Sequence, residues 1–146
     1  MKFKLIAAAA AVLCLGLTAV TAQETPIAKR QALMKGIGGA TGALAAIAKG
    51  EKPYDQAVVR TALTTMSTNI KAFPDQFPAG SETGDKTKAA PAIWEKNAEF
   101  RADAQKLGSD AEVLLASLPA DQAAVGKAMQ TLGGNCSTCH QNFRLK

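Results

Sequence analysis

The chain has 146 residues, 47% hydrophobic and 20% charged, with 17 basic against 12 acidic side chains and a formal charge of +5. That length suits a single domain. The positive residues form no run and alternate with acids at helical spacing, so the excess describes a mixed solvated surface and argues against nucleic-acid binding.

The first 22 residues read as a secretory signal rather than as fold. Lys2 and Lys4 make a short basic start, an apolar run extends from Leu5 to Leu17, and Val20-Thr21-Ala22 offers small residues for cleavage before Gln23. The run is short for a membrane span, although a retained anchor is the other reading of the stretch. Cys14 follows Leu13, where a lipoprotein signal would carry a small residue, and so leaves with the leader. Losing two lysines lowers the formal charge from +5 to +3. The compartment expected is the periplasm, with no stable membrane anchor after cleavage.

From residue 23 on, the chain predicts one all-α domain, residues 23–146. Apolar residues recur at alternating steps of three and four, the mark of helices with one buried face. The first stripe runs through Met34, Ile37, Leu44 and Ile47, and Gly50 stops it. "EKPYD" turns the chain into a second stripe, Val59, Leu63, Met66, Ile70 and Phe73, broken at Pro74. The stretch "PDQFPAGSETGDKTKAA" has no period and many breakers, and reads as a long exposed connection. Pro91 suits a helix's first turn. It opens a third stripe from Ile93 through Phe100, Ala104, Leu107, Ala111 and Leu114 to Leu118, ended by Pro119. The fourth uses Val125, Met129, Leu132, Cys136, His140 and Phe143. Four such helices predict an antiparallel four-helix bundle. Gly36, Gly38, Gly39 and Gly42 all fall inside the first helix, each weakening it by roughly 1 kcal/mol against alanine. Close helix packing and a ligand face both explain that tolerance.

The chemistry collects in "CSTCH", residues 136–140, which holds the only histidine and both cysteines left after cleavage. A redox dithiol belongs beside a βαβ unit, which this sequence lacks. A disulfide between cysteines three apart on a helix constrains almost nothing, although an oxidising compartment favours pairing. Zinc needs three or four protein ligands. Cys136, Cys139 and His140 supply three at most, and neighbouring Cys139 and His140 point in different directions. Covalent haem c uses every residue of the motif. Cys136 and Cys139 form thioethers with the two vinyl groups, and His140 reaches the iron as proximal axial ligand. Attachment of such haem outside the bacterial cytoplasm agrees with export.

Together with "RQALM" in the first helix, "KGEKPYD" at its turn, "PAIWEKNAEF" opening the third and "CSTCHQNFR" at the end, the motif makes the whole mature chain resemble the class II c-type cytochromes, the cytochrome c′ family. A four-helix bundle with haem in its core is the architecture that this resemblance implies. It also implies that residue 34 lies over the distal face of the haem. Many members carry an apolar blocker there, whereas low-spin relatives carry a ligating methionine. Met34 is therefore the expected distal ligand, with simple capping of the pocket as the other reading. Met129, seven residues before Cys136 on the haem-bearing helix, is badly placed for the opposite face, and Met66 reads as core.

Three more residues join the expected haem environment. The resemblance places Arg30 near a propionate, for which a guanidinium offers a forked donor. Arg144 does similar work or favours the negative end of the last helix. Trp94 lies against the haem edge or in the core. The function expected is a non-enzymatic monohaem carrier of single electrons with His/Met ligation, served by redox partner proteins, as monomer or homodimer. A five-coordinate protein binding NO or CO is the alternative. A peroxidase-like enzyme would want a distal acid–base group, and there is no second histidine.

Overall fold

The computed structural model describes residues 24–146, and the expected leader over residues 1–22 lies outside the described residues. Helix α1 spans Pro26–Ala48. Thr25 caps it by accepting from the Ala28 N–H, and Pro26 stands in the first turn, where its missing N–H leaves no hydrogen bond unmade. At its far end Gly50 adopts φ 75°, the left-handed conformation that closes a helix, and donates to Ile47 O. Helix α2, Gln56–Ala72, begins on Asp55, whose carboxylate accepts from the Ala57 and Val58 N–H groups. Tyr54 in the intervening turn donates its hydroxyl to Pro119 O at 2.8 Å, tying this corner to the opposite connection.

The third stripe is two helices rather than one. Helix α3 covers only Ala92–Glu95, Lys96 leaves helical geometry (φ −121°, ψ 45°), and α4 runs over Asn97–Ala116. The Asn97 side chain donates to Ile93 O at 3.2 Å, a local side-chain bond of the kind that competes with helix continuation. Helix α5, Gln122–Phe143, starts on Asp121, which accepts from the Ala124 N–H at 2.7 Å.

Each long helix packs on two others: α1 on α2, α2 on α4, α4 on α5, and α5 back on α1. This closed ring is the antiparallel four-helix bundle. Its centre holds Leu44, Ile47, Val59, Leu63, Met66, Phe100, Val125 and Leu132, all fully buried. Burying each such side chain contributes about 1.5–3 kcal/mol. The first-helix glycines divide between the two explanations. A Cβ on Gly36 would meet the Asn69 Nδ2 at 2.3 Å, so its smallness lets Asn69 of α2 reach Leu33 O. Gly39 and Gly42 face open space, and Gly38 borders the cavity described below.

The connection before α3 differs from the exposed loop expected. Phe73–Gln76 form a turn of 3-10 helix, and Phe73, Pro74, Phe77 and Ser81 are all buried. Asp85 and Lys86 both take positive φ, 44° and 54°, which for residues with a side chain costs of order 1 kcal/mol or more each. The crossover then pairs with the residues beyond α5. Ala90 N–H donates to Phe143 O, Leu145 N–H donates to Lys88 O, and Ala89 and Arg144 form an isolated antiparallel bridge.

Candidate functional site

On α5 the positions 136, 139, 140 and 143 follow helical spacing and so share one face. Phe143 is buried at its end, Cys136 and Cys139 are half-buried, and His140 is exposed. Across from them α1 presents Met34, Ile37, Gly38 and Thr41 at the same spacing. Between the two helices lies a cavity of about 620 Å³, well within the range of about 300–1,000 Å³ usual for cofactor and ligand sites. Its deep side is apolar: Phe73, Phe77, Ile93, Phe100 and Phe143 line it. The rings interlock edge to face, with Phe77 and Phe100 centroids 4.9 Å apart and Phe100 and Phe143 5.4 Å apart. Lys86, Thr87, Lys88 and Ala89 of the crossover form a further wall, and Arg144 stands beside them. The charged residues that line it are all cationic: Arg30, Lys86, Lys88 and Arg144. A second hollow of about 40 Å³ shares Met34, Ile37, Cys136, Cys139 and His140 with the first and reaches toward Asp103 and Asn135.

The electrostatics of the α5 cluster narrow its chemistry. Burial pushes both thiols upward, Cys139 to about 11 with help from the charge of Asp103 and then from Cys136. Disulfide-exchange cysteines need the reverse, a stabilised thiolate. Burial, and then the charge of Arg144, lowers the pKa of His140, so its imidazole is neutral near pH 7 and keeps a lone pair for a metal. Among the described residues, no group of three or more His, Cys, Asp and Glu side chains is arranged to hold a metal ion by itself. A large apolar cavity, two protonated thiols at one edge, a neutral imidazole beside them and cations nearby fit a flat apolar cofactor with anionic substituents.

Of the three methionines among the described residues, Met34 lines the cavity, Met66 is wholly buried in the core, and Met129 is half-buried away from it. Arg144 lines the cavity as well. Arg30 lines it too, but is 3% exposed, and its guanidinium is hydrogen-bonded to the crossover. Its pKa is lowered by burial, with the charge of Glu82 opposing. Trp94 stands behind the cavity rather than in its lining. Its ring packs edge-on against Phe77 at 5.7 Å, and its Nε1–H donates to Phe77 O. Sequence reasoning missed Phe77, Ser81 and the wall at residues 86–89. A phenylalanine in an otherwise polar, proline-flanked stretch was the one available signal.

The family model described as Cytochrome C′ matches residues 25–144. A cytochrome c-556 of Agrobacterium fabrum is 60% identical over 146 residues, covering 100% of this chain and 98% of that protein. A cytochrome c′ of Rhodopseudomonas palustris is 39% identical over 146 residues, covering 100% and 99%. Among solved structures, cytochrome c′ from Rhodopseudomonas palustris superposes with a TM-score of 0.80 at 40% identity, over 85% of this chain and 98% of that one. An NMR-validated structural model of oxidised cytochrome c556 from the same organism gives a TM-score of 0.76 at 35% identity, over 85% and 98%.

Proposed function

The chain belongs to the cytochrome c′ family and carries covalently bound haem c, and from that premise we propose that it is a periplasmic carrier of single electrons with histidine and methionine as axial ligands. Cys136 and Cys139 hold the cofactor through thioethers, His140 is the proximal ligand and Met34 the distal one. The observation that carries this reading is the sharing of one cavity by Met34 from α1 and Cys136, Cys139 and His140 from α5. When bound, the haem supplies a one-electron iron couple.

The chain's own residues supply the rest. The neutral His140 imidazole is a ligand that needs no deprotonation. The Met34 thioether is soft and uncharged, and such a ligand raises the potential of haem iron. The aromatic cluster from Phe73 to Phe143 keeps water from the deep side. Lys86, Lys88 and Arg144 offer positive charge to anionic substituents. His140 itself is exposed, so one edge of the site is within reach of a redox partner protein. Among the described residues no helix is long and apolar enough to cross a membrane.

Optical spectra of the purified protein, oxidised and reduced, test the assignment. Low-spin bands with a methionine-to-iron charge-transfer feature are expected. A high-spin spectrum that shifts readily with CO would replace the electron carrier by a gas-binding protein. In the same assay Met34→Ala should convert a low-spin haem to high-spin, and an unchanged spectrum removes Met34 as the ligand.

A further inference from the structure

The charged lining of the main cavity is cationic, but the small hollow that adjoins it carries the opposite sign. Asp103 of α4 lines that hollow together with Met34 of α1 and Cys136, Cys139 and His140 of α5. Of the described residues that line either space, it is the one carboxylate. Its placement follows from helical spacing. Asp103 comes three residues after Phe100 and four before Leu107, both buried, so it stands at the margin of the inward face of α4. It is half-buried there, where a charged side chain ordinarily has a partner.

The cations around it are committed elsewhere. On α4 itself, Arg101 donates through both terminal nitrogens to Asp75 Oδ1 at 3.0 Å, and Lys106 pairs with Asp110. Lys71 of α2 pairs with Glu112. Among the described residues no ion pair includes Asp103. Its field reaches the cysteine motif: after burial, the charge of Asp103 is the largest influence that raises the Cys139 thiol. A bound haem would not cancel that charge. The edge of the ring that thioethers hold carries carbon and sulfur, with no N–H or O–H to donate to a carboxylate.

We propose that Asp103 sets the reduction potential of the site. Its carboxylate, held beside Cys139 on the α4 side, stabilises the oxidised state and so opposes the rise in potential that the Met34 thioether brings. This rests on the cavity being the haem site. Passing one electron to a partner protein leaves one more positive charge in the cavity, and a fixed negative charge nearby favours that state. No bond or proton changes hands at Asp103. Lys86 and Lys88 act with the opposite sign from the crossover wall. They are exposed and screened by salt, whereas a partly buried charge is screened much less.

The test is a spectroelectrochemical titration of the haem-loaded protein at pH 7, in low salt and in about 1 M salt, where the screening length is about 3 Å. Asp103→Asn keeps the shape and removes the charge, and Asp103→Ser is a second neutral variant. Both should raise the ratio of reduced to oxidised protein at a fixed ambient potential by about threefold or more, a shift of about 30 mV. The shift should persist in high salt. Asp103→Glu keeps the charge and should stay near wild type. Glu99→Gln removes an exposed charge one turn earlier on α4, and any effect it has should vanish in high salt. A wild-type potential in both neutral variants overturns the proposal, as does a shift that salt abolishes. An equal shift in Asp103→Glu would assign the effect to packing and overturns it too, and so would a change of spin state in Asp103→Asn. A high-spin wild type would defeat ligation by Met34 instead, and the potentials of the same variants would still decide the role of Asp103.

Discussion

Gly36 and Gly42 are six residues apart on one helix, and alanine at the two should act with opposite sign. Gly42 is exposed, and a Cβ there meets nothing within 4 Å. Alanine gains helix propensity alone, so Gly42→Ala should stabilise the protein by about 0.5–1 kcal/mol. Gly36→Ala gains the same propensity, but its Cβ falls 2.3 Å from the Asn69 Nδ2. The half-buried amide must move, giving up its 3.2 Å bond to Leu33 O. Losing such a bond and leaving a polar group poorly satisfied costs roughly 1–3 kcal/mol, so the net effect should be a loss of about 1–2 kcal/mol. The gap between the two variants is then about 2 kcal/mol, and each kcal/mol moves the midpoint of a domain this size by about 3–5 °C. Urea unfolding of the haem-loaded variants, followed by far-UV circular dichroism at 25 °C, measures it directly. Two shifts of the same sign would refute the packing argument at Gly36, and a destabilised Gly42→Ala would show that something covers that open face.

Other outcomes follow from the same contacts. Phe100→Ala empties the centre of the aromatic cluster, where Phe100 is 1% exposed, and should lose about 3–5 kcal/mol in denaturant unfolding. Tyr54→Phe deletes the hydroxyl bond to Pro119 O and should lose about 0.5–1.5 kcal/mol in the same assay. The carboxyl of Asp110 is held below its ordinary pKa by hydrogen bonds from Lys106 and then Asn135. A depressed folded-state pKa contributes stability above the unfolded value and loses it as pH falls through the folded one. Wild type should therefore exceed Asp110→Asn in stability at pH 7, and the gap should close on acidification below about pH 4. A gap that persists in acid would assign the effect to packing.

The four long helices were legible because burial on one face imposes a 3.6-residue period, and the α5 side of the cavity because "CSTCH" compresses it into five residues. The break at Lys96 was not. Ile93 and Phe100 are seven apart, so the apolar period passes over the interruption as if it were absent. The crossover hid its role for a different reason. Ser81 and Phe77 are buried by Arg30, Trp94 and Phe100, partners that no local period connects to them. The glycines looked alike in sequence, and only the position of Asn69 on another helix separates Gly36 from Gly42. Met34 stood out through resemblance alone, since its apolar spacing matches that of Met66 in the core.

Met34 and His140 reach one cavity from helices at opposite ends of the described chain. In the proposed ligation, a single iron bonded to both side chains would be a cross-link as well as a redox centre. It would close a loop of about 100 residues, a constraint that in chain-entropy terms is worth about 4–5 kcal/mol against unfolding. Because the cysteines would keep the haem on α5, an agent that displaced Met34 would open that loop, and the same event that altered the colour of the protein would loosen the fold around it.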